Sequence, residues 1–133
     1  PDMALFLFVD AIFKKKSINI FNKGNLSRDF TYIDDIVHGV NLTILKEINS
    51  KNKSRIYNIG KGSPIKLLDF IDEIEKITSL KFKRNYMPMQ AGDVFHTYSN
   101  TKKLVDDYNY QPSTNIKTGI DKFIEWYKNY YEI

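Results

Sequence analysis

The sequence predicts an α/β fold in which part of the sheet is absent. Segments with alternating apolar residues are followed, along the whole chain, by segments with helical apolar spacing. About four short strands can be recognised, fewer than an α/β domain normally contains. The first predicted helix is apolar on most of its faces, so other protein must cover it. We therefore expect a truncated α/β domain.

In the first half of the chain, helix signals alternate with extended segments. A helix is predicted over Pro1–Lys16, because proline suits its first turn and three lysines suit its last. Alternating isoleucines predict a strand over Ser17–Phe21, which the turn Asn22–Asn25 ends. An extended stretch is expected over Arg28–Ile33. A helix is then expected over Asp34–Ile48, whose first residue is a good cap.

The second half of the chain repeats this alternation. Serine and proline before an apolar run with helical spacing mark the start of its longest central helix. The predicted elements are a strand over Arg55–Ile59, a helix over Ser63–Ser79, a strand over Phe82–Tyr86, a short helix from Asn100 or Thr101 through Tyr108, and a last helix over Ile116–Tyr131.

The composition excludes several classes of protein. Among 133 residues, 42% are hydrophobic and 27% are charged, as in ordinary globular domains. No run approaches the roughly 18 apolar residues that span a bilayer, so we expect no membrane segment. No cysteine is present, which excludes disulfides and thiol chemistry and favours the reducing cytoplasm. The net charge of +4 comes from scattered lysines, which fits a lysine-rich surface better than a nucleic-acid interface.

The Gly60–Gly62 turn has the glycines of a phosphate-binding loop, since it follows a predicted strand and precedes a predicted helix. The third glycine of that motif is replaced by Ile65. No acidic residue ends a second strand about 20 residues later, where it would bind a ribose. A strand-to-helix turn without a ligand therefore explains this segment better than a dinucleotide site.

Tyrosine and lysine occur twice at the spacing that some oxidoreductases use for an acid/base pair, at Tyr57–Lys61 and at Tyr98–Lys102. Such a pair requires both residues on one helix face, because the lysine must lower the pKa of the tyrosine. Tyr57 lies in a predicted strand, and Tyr98 precedes a predicted helix cap. We therefore expect both matches to be coincidental.

Other potential catalytic or ligand-binding residues have simpler explanations. His38 and His96 lie far apart in the sequence and show no metal-ligand pattern. Asp34 and Asp35 could form a carboxylate pair, but helix capping explains adjacent acids at a helix start. Trp126 and the tyrosines of the last helix could stack on bases, but the helical spacing of Tyr127 and Tyr131 favours a role in the core for these two residues.

Two loops remain candidates for a binding site. Gly24–Ile33 carries Arg28 before an apolar stretch, and Met87–Asp93 carries the polar Gln90 and Asp93 between apolar residues. A guanidinium binds phosphate oxygens in a bidentate manner, so Arg28 suits an anionic ligand. The alternative for this arginine is a structural ion pair with an aspartate close to it in the sequence.

Five segments resemble, in the right order, the extended short-chain dehydrogenase/reductases that act on nucleotide sugars. Arg28–Ile36 is similar to their R-D-F-x-Y-[IV]-D-D-[IV] signature, and Tyr57–Gly60 to their Y-N-[IL]-G strand. Ile18–Gly24 is similar to their strand I-x-[VI]-[FY]-N-x-G. Pro1–Phe6 resembles P-D-M-A-x-x and Met87–Val94 resembles M-P-M-Q-x-G-D-V, both of the UDP-glucuronate 4-epimerase branch.

The resemblance covers the C-terminal part of such enzymes, somewhat over a third of their length. It implies that residues 1–133 are a single fragment, namely the substrate-binding region plus the last elements of a Rossmann-type sheet. About residues 30–60 are expected to return to that sheet. The Gly-rich NAD turn and the true Tyr-x-x-x-Lys pair of the family, which belong to its N-terminal half, are absent from this sequence. NAD is thus implied for the intact enzyme, while neither NAD binding nor catalysis is expected of this chain alone.

The resemblance also implies roles for individual residues. The main chain of Asn19 and Phe21 would contact uracil, Arg28 the diphosphate, and Asp93 the ribose hydroxyls. Many relatives carry a second, phosphate-binding arginine where Gln90 stands. This position is therefore expected to line the same substrate site without adding a positive charge.

Together these roles predict the UDP-sugar-binding portion of an NAD-dependent sugar epimerase, most similar to the UDP-glucuronate 4-epimerases. The expected partners are a UDP-sugar and either the N-terminal half or a second copy of the chain, which would cover exposed apolar surface. Neither a nucleic acid nor a membrane is expected as a partner. The alternatives are a nucleotide-sugar-binding module without catalysis and, less favoured, a basic nucleic-acid-binding domain.

Overall fold

A computed structural model describes residues 3–46 and 54–133 as an α/β structure, which confirms the predicted fold class. Helices and strands alternate along most of its length. The elements are α1 (Ala4–Phe13), β1 (Ser17–Ile20), a 3-10 turn (Phe21–Gly24), β2 (Ser27–Arg28), α2 (Ile33–Leu45), β3 (Ile65–Lys66), α3 (Leu67–Thr78), β4 (Lys83–Tyr86), α4 (Lys102–Tyr108) and α5 (Ile116–Tyr131).

The described strands form two small sheets. β1 pairs with β4 in parallel, with Ser17 opposite Lys83. β2 pairs with β3 in the antiparallel direction, with Arg28 opposite Ile65. Within residues 3–46 and 54–133 each sheet has two strands. None of the helices in this part of the chain combines the length and the apolar character needed to cross a bilayer.

The main core lies between α1, β1, α3 and α5. Its aromatic centre is Phe70, which stacks on Phe30 with ring centroids 4.0 Å apart. Tyr127 closes one side by donating its hydroxyl hydrogen bond to Asp10 Oδ1 at 2.8 Å. The buried members of this core are Phe8, Val9, Ala11, Ile12, Ile18, Ile20, Phe70, Ile71, Ile74, Phe82, Ile120, Ile124 and Tyr127.

A second, smaller cluster lies between α2 and α4. Leu104, Tyr108 and Tyr110 are buried there, and partly buried Leu42, Tyr57 and Ile59 pack against them. The opposite face of α2 is less covered by described residues than the face that packs against this cluster. Its apolar residues Val37, Val40 and Ile44 are exposed, and so is Ile56 just before the small cluster.

Helix α1 ends three residues earlier than the sequence predicts. The backbone leaves the helix at Lys15, whose φ of 54° lies in the left-handed region. The N–H of Lys16 then donates to the carbonyl of Ala11 at 2.8 Å, and the N–H of Lys15 to that of Ile12 at 3.3 Å. These two bonds form a Schellman C-cap, so the lysines follow the helix and do not form its last turn.

The predicted helix Ser63–Ser79 begins later, at Leu67, because β3 precedes it. Ile65 lies opposite Arg28 in the β2–β3 ladder, and the N–H of Leu67 donates to the carbonyl of Leu26 at 2.9 Å. Pairing with β2 thus extends residues that proline and serine would otherwise favour as a first helical turn.

Two predictions in the middle of the chain are wrong. Arg55–Ile59 is not a strand, and no described strand pairs with it. The expected extended stretch Arg28–Ile33 contributes only Arg28 to a strand, and α2 begins with Tyr32 as its N-cap and not with Asp34. The N–H groups of Asp35 and Ile36 donate to the carbonyl of Tyr32, which sets this earlier start. The predicted helix end at Ile48 lies outside the described residues, and α2 ends at Leu45.

Short elements with clear local signals are confirmed. β1, β4 and α4 lie within about one residue of their predicted positions. The last helix begins as predicted at Ile116, because the side chain of Asn115 caps it and accepts a hydrogen bond from the N–H of Thr118 at 2.8 Å.

Candidate functional site

An open groove of about 1100 Å³ runs along α1, β1 and the loop before Asp93. One wall is apolar and comes from α1, including Leu7 and Ala11. The other walls come from β1, from β2 and from the loop. The groove brings together all of the residues for which the resemblance implied substrate contacts, namely Asn19, Phe21, Arg28, Gln90 and Asp93.

Strand β1 lines this groove with Ser17, Ile18 and Asn19. One edge of β1 pairs with β4, and within the described residues no further strand joins the other edge. Asn19 lies on this strand, and Phe21 begins the 3-10 turn that ends it. Unpaired main-chain N–H and C=O groups at a strand edge recognise flat polar ligands through hydrogen bonds.

Arg28 is held beside the groove by three hydrogen bonds. Its Nη1 donates to the carbonyl of Ser27 at 2.8 Å and to that of Phe95 at 3.3 Å. Its Nη2 donates to Asp93 Oδ1 at 2.6 Å. A guanidinium carries more N–H donors than these bonds use, so Nε and part of Nη2 have no acceptor among the described residues. The alternative of an ion pair with an aspartate close to Arg28 in the sequence, such as Asp29 or Asp34, is wrong, because Arg28 pairs with Asp93, 65 positions away.

Asp93 also keeps one oxygen available. Oδ1 accepts from Arg28 and from the N–H of Val94 at 2.8 Å, whereas no described residue donates to Oδ2. The N–H of Asp93 donates to the carbonyl of Gln90 at 3.2 Å, which closes a tight turn. Gly92 has a φ of 80° in this turn, a conformation that favours glycine. The turn therefore holds Asp93 and the uncharged Gln90 at the same end of the groove.

The Gly60–Gly62 turn does not offer its N–H groups to a phosphate. The N–H of Gly62 donates to Asp29 Oδ2 at 3.0 Å, and the N–H of Ser63 to Asp29 Oδ1 at 3.4 Å. Gly60 is required for another reason, since a Cβ there would lie 2.5 Å from the Cβ of Ser99. The predicted strand-to-helix context is wrong, because no described strand directly precedes the turn and β3 follows it, but the hydrogen bonds of its N–H groups are those of a structural turn.

Neither tyrosine–lysine match forms an acid/base pair. The hydroxyl of Tyr57 donates to Asp107 Oδ2 at 2.7 Å, whereas Lys61 Nζ donates to the carbonyl of Pro112 at 2.7 Å. Burial raises the pKa of Tyr57, which is opposite to the change that a catalytic tyrosine needs. In the second match Tyr98 is exposed, and Lys102 forms a salt bridge with Asp106.

The two acids at the start of α2 also have separate roles. Asp35 is buried and accepts hydrogen bonds from the N–H groups of Ser113 and Thr114, which ties α2 to the segment before α5. Asp34 is exposed and lies 3.6 Å from Lys122 Nζ. Both stand in the first helical turn, where the helix dipole favours acids, so they are not a catalytic pair.

The isolated histidines have individual neighbours. His38 stacks on Tyr110, and His96 Nδ1 lies 2.8 Å from the hydroxyl of Ser27. In the part of the chain that the structure describes, His, Asp and Glu side chains form no group of metal-binding type. Tyr127 is buried in the main core as expected, whereas the same expectation for Tyr131 is wrong, because its side chain is 42% exposed at the end of α5. Trp126 and Tyr130 are exposed as well.

Sequence reasoning missed Asp29 and Thr97, which also line the groove. Asp29 follows Arg28 directly in the R-D-F signature, and that adjacency was the available signal. Its hydrogen-bond partners lie 33 to 70 positions away in the sequence, so a local sequence pattern does not predict them.

Comparison with known proteins identifies relatives of this chain. The sequence model described as "NAD dependent epimerase/dehydratase family" matches residues 1–60. Protein CapI of Staphylococcus aureus is 40% identical over 99% of this chain and 44% of its own length. UDP-glucuronate 4-epimerase 2 of Arabidopsis thaliana is 40% identical over 99% of this chain and 33% of its own length.

A solved structure shares the fold as well. UDP-glucuronic acid 4-epimerase from Bacillus cereus, in complex with UDP-glucuronic acid and NAD, superposes with a TM-score of 0.88 and 27% identity. The match covers 98% of this chain and 41% of that protein, so the chain spans less than half the length of these relatives. The chain belongs to the NAD-dependent epimerase/dehydratase family, with UDP-glucuronate 4-epimerases among its homologues.

Proposed function

We propose that this chain binds a UDP-sugar and is the nucleotide-sugar-binding portion of an NAD-dependent 4-epimerase, most similar to UDP-glucuronate 4-epimerases. The observation that carries the proposal is the Arg28–Asp93 pair at the groove. It combines unused guanidinium donors with an unused carboxylate oxygen. A ligand that carries both a diphosphate and neighbouring hydroxyl groups satisfies both partners.

The remaining groove residues fit a uridine next to that pair. The free edge of β1 at Asn19 and the main chain of Phe21 supply donors and acceptors for the uracil ring. Arg28 then binds the diphosphate, while Asp93 Oδ2 accepts from the ribose hydroxyls. Gln90 adds a neutral hydrogen-bonding group, so Arg28 is the main source of positive charge at the phosphates. The chain thereby orients the sugar and performs no proton or hydride transfer itself.

NAD does not fit the described residues. The Gly60–Gly62 turn donates to Asp29, and the two tyrosine–lysine matches have other partners. We therefore assign the redox step and the acid/base pair to residues outside this chain. In the intact enzyme NAD would exchange a hydride with the sugar, and turnover of UDP-glucuronate by the purified 133-residue chain would contradict this assignment.

The exposed face of α2 is the proposed contact to the part of the enzyme that carries NAD. Val37, Val40 and Ile44 lie along this helix, and Ile56 is exposed as well. Apolar surface of this kind is covered either by the N-terminal half of a full-length relative or by a second copy of the chain.

We infer from the cysteine-free sequence that the protein works in the reducing cytoplasm.

The substitution Arg28→Ala tests the proposed ligand. A charged hydrogen bond contributes roughly 1.5–3 kcal/mol, so the affinity for UDP should fall about 10- to 150-fold. Arg28→Lys should recover only part of this loss, because an ammonium cannot form two parallel bonds to a phosphate. Titration calorimetry with UDP on the purified protein measures both effects, and a melting curve of each variant shows whether the fold is intact.

Arg55→Ala is a matched control for this experiment. Arg55 pairs with Asp107 at 3.0 Å and is exposed to nearly the same extent as Arg28, but it does not line the groove. The substitution Arg55→Ala should leave the affinity for UDP unchanged. If Arg28→Ala retains wild-type affinity while its melting temperature falls, the Arg28–Asp93 pair is a structural ion pair and the proposal is wrong.

A further inference from the structure

Strand β2 is held between two neighbours. On one side it pairs with β3. On the other side it lies beside residues 95–99, where the N–H of Ser27 donates to the carbonyl of Phe95 at 2.9 Å. The N–H of Thr97 donates back to the carbonyl of Ser27 at 3.2 Å. This alternation has the register of a parallel ladder.

At Asp29, hydrogen bonds between main-chain N–H groups and side chains replace the main-chain bonds between β2 and residues 97–99. The N–H of Asp29 donates to Thr97 Oγ1 at 3.2 Å, and the N–H of Ser99 donates to Asp29 Oδ2 at 2.9 Å. The same carboxylate accepts from Gly62 and Ser63 in the turn that leads to β3. One side chain therefore joins β2 to the segments on both of its sides, directly after Arg28.

These bonds determine what surrounds the Arg28 guanidinium. Its Nη1 donates to the carbonyl of Phe95, and its Nη2 to Asp93, so both acceptors belong to the chain that leads into residues 97–99. A slip of that segment along β2 would move both acceptors together. The position of Arg28 at the groove is thus coupled to the bonds of Asp29.

We propose that Asp29 is a positioning residue for diphosphate binding, because it fixes residues 93–99 against β2 and thereby aims Arg28 at the phosphates. This inference rests on the proposed function of the groove. Asp29 has its own carboxylate occupied by main-chain N–H groups, so it acts through Arg28 and does not contact the ligand.

A carboxylate is required because both of its oxygens accept hydrogen bonds. In Asp29→Asn one oxygen is replaced by an NH2 group, which cannot accept from the N–H of Gly62, Ser63 or Ser99. At least one of these segments must then move. The variant keeps the size of the side chain, so the change is confined to hydrogen bonding and charge.

The test compares UDP with uridine, which lacks the phosphates. For Asp29→Asn we expect the affinity for UDP to fall about tenfold, while the affinity for uridine stays within about twofold. The control is Asp35→Asn, because Asp35 also binds two main-chain N–H groups but does not line the groove. It should lower the melting temperature without changing the ratio of the two affinities.

A second measurement needs no ligand. The sequence contains only the arginines Arg28, Arg55 and Arg84, so the Nε–H signals in a nitrogen–proton NMR spectrum can be assigned by substitution. Asp29→Asn should shift the Arg28 signal and leave that of Arg84 in place, whereas Asp35→Asn should shift neither. If Asp29→Asn does not fold, Thr97→Val removes the acceptor of the Asp29 N–H and should shift the same signal less.

The possible failures are distinguishable. If the wild-type protein binds neither UDP nor uridine, the proposed function is wrong, and the NMR signal still decides on the positioning role. If the wild type binds UDP but Asp29→Asn weakens UDP and uridine equally, Asp29 has a general structural role and the inference is overturned. An unchanged Arg28 signal in the folded variant overturns it as well.

Discussion

Helix α3 of the main core and the outer face of α2 both have helical apolar spacing in sequence but very different exposure. Ile71 and Ile74 of α3 are completely buried, whereas Ile44 on α2 is 72% exposed. α1 buries Phe8, Val9, Ala11 and Ile12 against β1, α3 and α5, while Leu7 on the same helix is 50% exposed. Periodicity therefore identifies an apolar face but does not say whether this chain covers it.

The largest effect is expected where the main core is densest. Phe70→Ala removes a buried ring that stacks on Phe30 and lies 6.3 Å from the ring of Phe8. We expect the free energy of unfolding to fall by about 3–5 kcal/mol, measured by urea denaturation. Phe95→Ala is the control, because its side chain is 52% exposed, and it should cost less than about 1 kcal/mol. Similar losses for both would mean that burial in the main core does not determine how much stability an aromatic ring contributes.

A smaller loss is expected at a glycine on the rim of the core. Gly24 has a φ of 83°, and an added Cβ would lie 2.5 Å from Leu68 Cδ2. Gly24→Ala should therefore cost about 2–3 kcal/mol, from backbone strain and from the clash together. Gly92→Ala separates the two causes, since the φ of Gly92 is 80° but no atom of the described residues lies within 4 Å of the added Cβ. It should cost about 1 kcal/mol.

The clash itself is tested by a double-mutant cycle. Leu68→Ala removes the atoms that an alanine at residue 24 would meet. The two substitutions together should destabilise the protein by less than the sum of their separate effects, by at least about 0.5 kcal/mol. Strict additivity in thermal or urea unfolding would show that the neighbouring side chain moves away at no cost.

Local signals explain which elements the sequence predicts correctly. β1 alternates isoleucines, and α5 has both a capping asparagine and strong helical spacing, so neither depends on distant residues. By contrast, β3 exists because it pairs with β2, and Arg55–Ile59 lacks a described strand to pair with. Strand assignment depends on a partner, which a local pattern does not contain.

The candidate site shows the same limit. Arg28 and Asp93 could be singled out through their motifs, and both line one groove. Their mutual salt bridge at 2.6 Å could not be predicted, because 65 positions separate them. Residue type and motif indicate which groups are used, but only the fold decides which of them meet.

Acid should lower the free energy of unfolding through the buried carboxylate of Glu75. Burial raises the pKa of this carboxyl, but hydrogen bonds from Lys81, from the N–H of Phe82 and from Arg84 outweigh it, so the pKa lies below its usual value of 4.5. The stability that Glu75 contributes is therefore present above about pH 4.5 and is lost as the pH falls through the lowered pKa.

Glu75→Gln should make this dependence visible. At pH 7 the variant should be less stable by about 1–2 kcal/mol, because charge-assisted hydrogen bonds are lost. Its melting temperature should then change less between pH 5 and pH 3 than that of the wild type. Glu73→Gln is the control, since among the described residues Glu73 binds only Lys76, whose side chain is 72% exposed. If the melting temperature of Glu75→Gln falls between pH 5 and pH 3 as much as that of the wild type, other carboxyl groups cause the loss of stability in acid.

The smallest effect on stability is expected on the exposed face of α2, and this separates the two regions most clearly. Val40 is 40% exposed and Ile44 is 72% exposed, so replacing both with serine removes apolar surface that is only partly buried, and the free energy of unfolding should change by less than about 0.5 kcal/mol per site. Binding of a hydrophobic dye, or self-association measured by sedimentation, should nevertheless decrease, because exposed apolar side chains on one helix face favour both. Leu7→Ser on α1, where the side chain is half exposed, is the matched control and should change dye binding less. If the double variant loses more than about 1 kcal/mol of unfolding free energy per site, other protein groups already cover this face of α2 in solution. Unfolding at several protein concentrations then identifies them. A second copy of the chain stabilises the protein more as the concentration rises, whereas packing within the chain does not depend on concentration.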